Sequence, residues 1–262
     1  MTTIAASLLL ALPLSYAQAA AIHDSGLFTT NFPGNDDGSV GLVNVGFNMN
    51  FFGNSWNQLY VNNNGNVTFT GALGTYTPFG ITGGSLAMLA PFFADVDTRV
   101  GNTVTYGTNV LGGKNVFGVN WIDVGYFSGH TDLLNSFQLI ITDRSDIAAG
   151  DFDFEFNYDK IQWETGDASN GSGGFGGTPA SAGWTNGTGT YYQFPCSLTT
   201  GAFEDNGTCP LIAGSRNSDI DGQYIFQVRS GQVINDVPEP ATLALASLGL
   251  LGVALLRRRQ KS

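Results

Sequence analysis

VNVGFNMNFFGNSWNQLYVNNNGNVTFT, residues 43–70, decides the fold class. Val43, Val45, Phe47, Met49 and Phe51 take every second position, with Asn44, Gly46, Asn48 and Asn50 between them. Successive side chains of an extended chain point to opposite faces, so this alternation describes a strand with one buried face. Residues 58–70 then set two β-prone runs around Asn-Gly. Those two residues tolerate the positive φ of a tight turn, which makes the pair the strongest local hairpin signal. Further strands are expected at 88–93, 103–106, 116–124, 137–142, 152–163 and 224–229, separated by turn clusters and without an amphipathic helix. The fold expected is all-β: an antiparallel β-sandwich or barrel-like single domain with long Gly-rich loops.

Residues 151–158, DFDFEFNY, alternate most sharply. Phe152, Phe154, Phe156 and Tyr158 form a core face, and Asp151, Asp153, Glu155 and Asn157 the opposite one. Like charges about 7 Å apart cost little in water. The acidic side therefore reads as a solvated outer face that discourages edge pairing, or else as a cation-bridged contact surface. Residues 165–189 are rich in Gly and read as a long loop within the domain. They contain a formal G-x-G-x-x-G, Gly171 to Gly176, but Thr178, Pro179 and further glycines forbid the helix that dinucleotide binding needs.

The chain carries 10 Lys and Arg against 21 Asp and Glu, and four of the basic residues follow residue 256. The body is thus strongly acidic, which excludes nucleic acid as a partner because phosphate binding needs a basic patch. Cations and neutral polymers remain compatible. The only cysteines, Cys196 and Cys209, are expected to form a disulfide in an exported chain.

Export is read from both ends. Residues 4–14 are apolar and Ala17-Gln18-Ala19 is a small-x-small cleavage site, so 1–19 is expected to be a signal peptide, although no Lys or Arg precedes it. Residues 241–256 form an uncharged run after Pro238 and Pro240 and before Arg257, Arg258, Arg259 and Lys261. A helix of that length reaches about 24 Å, short of roughly 30 Å of hydrocarbon, and snorkelling arginines extend it. Basic residues stay on the cytoplasmic side, leaving the body outside. Val237-Pro238-Glu239-Pro240, the apolar helix and Arg257–Arg259 resemble the PEP-CTERM sorting signal of Gram-negative bacteria. That resemblance implies an exosortase as partner and a transmembrane helix serving as an address and at least a transient anchor. The domains expected are a signal peptide over 1–19, a β domain over 20–236 and a sorting signal over 237–262, with the transmembrane helix at 241–256 and a basic tail at 257–262.

The order of motifs in the body also resembles a known module. NDDGS (35–39), VGFNMNFFG (45–53), LYVNNNGNVTF (59–69), LAPFFADVDTR (89–99), NSFQLIITD (135–143), FNYDKIQWETGD (156–167) and GGFGGTPASAGW (173–184) together are similar to the nidogen-like (NIDO) extracellular domain. The resemblance implies adhesion or matrix organisation without catalysis.

Asp95 and Asp97 flank Val96 and would point to one side of an extended chain, where two carboxylates suit Ca²⁺ or merely cap a strand end. Asp36 and Asp37, with Asn35 and Ser39, form a second oxygen-rich turn with the same two readings. Trp184, Tyr191 and Tyr192 beside the Gly-rich stretch suit sugar stacking if exposed and core packing if not. His23 and His130 are the only histidines; His130 lies near Ser128 and Asp132, yet sequence proximity makes no triad, and no nucleophile elbow or zinc-ligand spacing occurs. No catalytic residue is assigned. The function expected is a non-enzymatic adhesion or matrix-interaction protein, exported to the cell surface or beyond. The alternative is an exopolysaccharide- or glycan-binding protein, and a glycosidase ranks third.

Overall fold

The computed structural model describes residues 20–82 and 85–234. The expected leader, the apolar C-terminal segment and the sorting residues lie outside the described residues. Within them, no helix is long and apolar enough to cross a membrane.

The strands are β1 (Thr30–Asn31), β2 (Ser39–Phe51), β3 (Asn54–Asn62), β4 (Asn66–Thr68), β5 (Met88–Phe93), β6 (Val96–Asp97), β7 (Thr105–Leu111), β8 (Lys114–Tyr126), β9 (His130–Asp143), β10 (Phe152–Lys160), β11 (Gly171–Ser172), β12 (Phe175–Gly176), β13 (Ser181–Thr185), β14 (Tyr191–Gln193), β15 (Gln223–Arg229) and β16 (Gln232–Ile234). One sheet runs β1-β7-β8-β9-β10-β15-β16 with β6 added beside β8, and the other runs β14-β13-β5-β4-β3-β2. β11 and β12 form a separate small hairpin. Pairing is antiparallel in both sheets, as the hairpin signals required.

The two sheets enclose one core, which makes the domain a β-sandwich. Val45, Met49, Phe51, Leu59, Val61 and Val67 meet Phe117, Trp121, Leu139, Ile141, Phe154 and Phe226 there. The alternation in residues 43–51 holds: Val45, Met49 and Phe51 are buried while Asn44, Gly46 and Asn48 are exposed. Aromatic rings supply much of the filling, with Phe154 stacked on Phe226 at 4.8 Å and Trp121 on Phe137 at 5.1 Å between centroids.

Two expectations are corrected. The acidic face of residues 151–158 is not solvated. β10 is an interior strand between β9 and β15, and Asp153 and Asn157 are 8% and 0% exposed. Arg144 and Arg229 pair with Asp153 at 2.5 and 2.6 Å, and the Ser230 amide donates to Asp151 Oδ1 at 2.8 Å. Farther along, the N-terminal segment from Ala20 to Phe28 lies over this face. The His23 amide donates to Gln138 Oε1 and the Gln138 side-chain amide donates back to the His23 carbonyl, both at 3.1 Å. His23 Nε2 meets Glu155 Oε2 at 3.1 Å. Phe28 is buried against Val116 and Ile140, in a seat that exists because residue 118 is glycine. A Cβ there would lie 2.1 Å from the Phe28 ring.

The Gly-rich stretch is likewise not one long loop. It folds into a 3₁₀ turn (Asp167–Ser169), the β11–β12 hairpin and β13, which is an interior strand between β14 and β5. Small residues conceal β13 in the sequence. Gly183 (φ +146°) passes so close to its neighbour that a Cβ would lie 2.1 Å from the Tyr192 carbonyl oxygen.

Candidate functional site

The β3–β4 hairpin turns through Asn63, Asn64 and Gly65, and the turn is buried. Gly65 has φ +72°, and a Cβ on it would lie 1.7 Å from the Phe92 carbonyl oxygen, so β5 crosses directly against the turn. Burial obliges every amide of this Asn run to find a partner. Asn62 Nδ2 donates to Asn66 Oδ1 and Thr68 Oγ1, at 2.7 and 3.0 Å. Asn63 Nδ2 donates to the carbonyls of Asp36 and Val96. Thr98 Oγ1 accepts from the Asn35 amide and donates to Asn63 Oδ1 at 2.9 Å. Asn64 Nδ2 donates to Asp37 Oδ1 at 2.8 Å, while Asn64 Oδ1 accepts from the Val96 amide at 3.0 Å. Two asparagines thus pin the turn at residues 35–38 to the chain entering β6.

The pinning brings Asp36, Asp37 and Asp95 together: one oxygen from each carboxylate lies within 4.8 Å of the others. Asp95 is 1% exposed, and among the described residues neither of its carboxylate oxygens has a hydrogen-bond partner; Asp36 Oδ1 is also buried without one there. Gly166 closes the far side, since a Cβ there would lie 2.4 Å from Asp95 Oδ2. Like charges about 4 Å apart repel by roughly 4 kcal/mol at an effective dielectric constant of about 20. Burial, then the charges of Asp36, Asp37, Asp97 and Asp167, push the Asp95 carboxyl up to about 8. Burial, with Asp97 and Asp37, pushes Asp36 up to about 6 against the opposing Arg99.

Asp97 does not join this group. Its Oδ1 accepts from Arg99 Nε at 2.9 Å, and its Oδ2 accepts from Arg99 Nη2 at 2.5 Å and from the Gly129 amide at 2.8 Å. Burial alone would push its carboxyl up, but the bonds from Arg99 and Gly129 outweigh that and hold it low. The expected pairing of Asp95 with Asp97 is therefore replaced by Asp95 with Asp36 and Asp37. Sequence reading missed Asn63, Asn64 and Gly166; the signal was three consecutive asparagines, more polar side chains than a tight turn uses.

The aromatic trio is divided. Trp184 is 3% exposed and lies in the core near Phe51 and Phe52, at 6.2 and 5.6 Å between centroids, so its reading as a ligand contact is corrected to a packing one. Tyr191 is 46% exposed on edge strand β14. Tyr192 helps line an apolar pocket of about 390 Å³ with Phe194, Phe203, Leu211 and Tyr224. Cys196 and Cys209 are joined in a disulfide, and Cys209 also lines this pocket. His130 bonds Asp167 at 2.9 Å and stacks on Tyr126, whose hydroxyl donates to Asp132 Oδ1 at 3.1 Å.

The nidogen-like domain model matches residues 57–111 and 107–230, which is most of the sandwich. The chain belongs to the nidogen-like domain family. The matched region includes Asp95 and the Asn62–Asn66 turn but starts after Asp36 and Asp37. A PEP-CTERM protein-sorting motif matches residues 236–259, covering Val237 to Pro240 and Arg257 to Arg259. Alpha-tectorin of Mus musculus is 29% identical over 232 residues, covering 78% of this chain and 10% of its own length. Alpha-tectorin of Gallus gallus is 30% identical, covering 82% of this chain and 11% of its own length. Nidogen of Drosophila melanogaster is 26% identical, covering 69% and 14%. This nidogen-like chain thus spans about a tenth of the length of the tectorins it matches. No solved structure matches it.

Proposed function

We propose that this chain is an exported, surface-sorted protein whose nidogen-like sandwich (20–236) makes non-catalytic contacts with matrix or cell-surface macromolecules. The single observation that carries the reading is the arrangement of the two matches: a nidogen-like body up to residue 230 is followed at once by a protein-sorting motif from residue 236. On this reading residues 1–19 are removed on export. Residues 241–256 hold the chain in the membrane, with the basic residues inside, until an exosortase acts near Val237–Pro240. The site chemistry supports a non-enzyme. Asp95, the innermost of the Asp36–Asp37–Asp95 group, is 1% exposed and so is buried away from any polymer.

A polysaccharide partner is favoured by one observation, the exposed Tyr191 at a sheet edge beside the Tyr192 pocket. Ring stacking there would give weak contacts that add up along a repeating polymer. The test is cell fractionation with mass spectrometry of the mature C-terminus, followed by binding of the recovered protein to purified extracellular polysaccharide. A surface fraction ending within residues 237–240 supports sorting. Intact full-length protein in the cytosol overturns it. Saturable polysaccharide binding lost in Tyr191→Ala supports the glycan reading, and release of reducing ends would return the chain to the hydrolases.

A further inference from the structure

We propose that Asp36, Asp37 and Asp95 bind one Ca²⁺ ion, which ties the turn at residues 35–38 to the β5–β6 connection. What points to a ligand is Asp95: it is 1% exposed, it is aimed at two other carboxylates, and no donor among the described residues reaches either of its oxygens. Buried carboxylates are otherwise satisfied by hydrogen bonds or cations. The local supply of donors is already committed elsewhere. Asn63 serves the Asp36 and Val96 carbonyls, Asn64 serves Asp37 Oδ1, and the short contacts of Arg99 go to Asp97. Arg99 also approaches Asp36 Oδ2 at 3.3 Å, but from a side chain 49% exposed, and Asp36 Oδ1 remains without a partner.

The donor set selects the ion. Every candidate ligand is a carboxylate oxygen, with no His or Cys in the group, which suits a hard cation. The backbone around the site is set beforehand. Asn63 and Asn64 hold the turn and the β6 entry in register, and the absence of a Cβ at Gly166 leaves Asp95 Oδ2 its space. Ca²⁺ accepts irregular oxygen shells with waters completing them, whereas Mg²⁺ demands a stricter octahedron.

The test uses the purified full-length chain in detergent with physiological NaCl. Calorimetric titration with Ca²⁺ is expected to show one saturable site, and the melting temperature is expected to rise by about 5 °C near saturation. Tb³⁺ in the site should luminesce on tryptophan excitation, since Trp121 is bonded to the Asn63 carbonyl, and Ca²⁺ should quench the signal by displacement. Asp95→Asn keeps the side-chain shape and is expected to abolish the heat, the melting shift and the luminescence. Asp36→Asn, at a partly exposed position, is expected to weaken affinity at least about tenfold and decides the matter if Asp95→Asn does not fold. Absence of saturable binding by the parent chain, or unchanged binding in the variants, overturns the proposal and leaves Asp95 a buried neutral acid.

Discussion

Trp121 Nε1 donates a 2.9 Å hydrogen bond to the Asn63 carbonyl, so a core indole of the larger sheet supports the buried hairpin turn of the smaller one. The bond joins the two layers at the point where the acidic turn is held. Trp121→Phe removes the donor and leaves a buried carbonyl unsatisfied. Urea denaturation is expected to register a loss of about 2 kcal/mol from that bond and the lost volume.

Asn63 has a larger role than its turn position suggests. Asn63→Ala strips the Asp36 and Val96 carbonyls of this donor and removes one of the two acceptors of the Thr98 hydroxyl, leaving it the Asn35 carbonyl. The expected loss is about 3 kcal/mol, by the cost of leaving several buried groups unpaired. A loss below about 1 kcal/mol would mean water replaces the side chain.

The His23–Glu155 pair makes stability depend on pH. The hydrogen bond to Glu155 raises the His23 imidazolium above its usual 6.5, with burial pulling the other way. The folded state therefore holds this proton more tightly than the unfolded chain does. The stabilisation is complete below pH 6.5 and is lost as pH rises through the higher folded-state value. His23→Gln should accordingly cost more in mildly acidic than in alkaline buffer, by less than about 1 kcal/mol because the imidazole is partly solvated. A cost independent of pH would contradict the pairing.

Local patterns made much of this fold legible. The two-residue alternation of 43–51 and the Asn-Gly of 58–70 marked a half-buried strand and a hairpin, and both are present. What lay beyond reach depends on topology. Nothing in DFDFEFNY says that Glu155 lies under His23, 132 residues away. Nothing local marks SAGWT as an interior strand, because Ala and Gly carry little strand preference and Gly183 is selected by the nearness of Tyr192. The acidic pairs at 36–37 and 95–97 were each visible, but which members meet is set by Asn63 and Asn64, from a third segment.

Phe28 and Gly118 form a lock that a double-mutant cycle can expose. Gly118→Ala places a methyl 2.1 Å from the Phe28 ring, and a loss of about 2 kcal/mol is expected from overpacking. In a Phe28→Ala background the same change should cost nearly nothing. Equal costs in the two backgrounds would show that the ring does not occupy this seat.

The Cys196–Cys209 link closes a 13-residue separation beside the Tyr192 pocket. Cys196→Ser with Cys209→Ser is expected to lower stability by about 3 kcal/mol in the chain-entropy description. Reductant should lower the melting temperature of the parent chain and leave the double variant unchanged.

The strap formed by residues 20–28 has a consequence for how the molecule assembles. Its partners Gln138 and Glu155 stand 115 and 132 positions downstream, so this segment cannot settle until most of the domain is in place. Loop closure over such distances is slow and leaves sticky intermediates in the meantime. A chain of this design is therefore expected to seat its strap late, after β9 and β10 have formed.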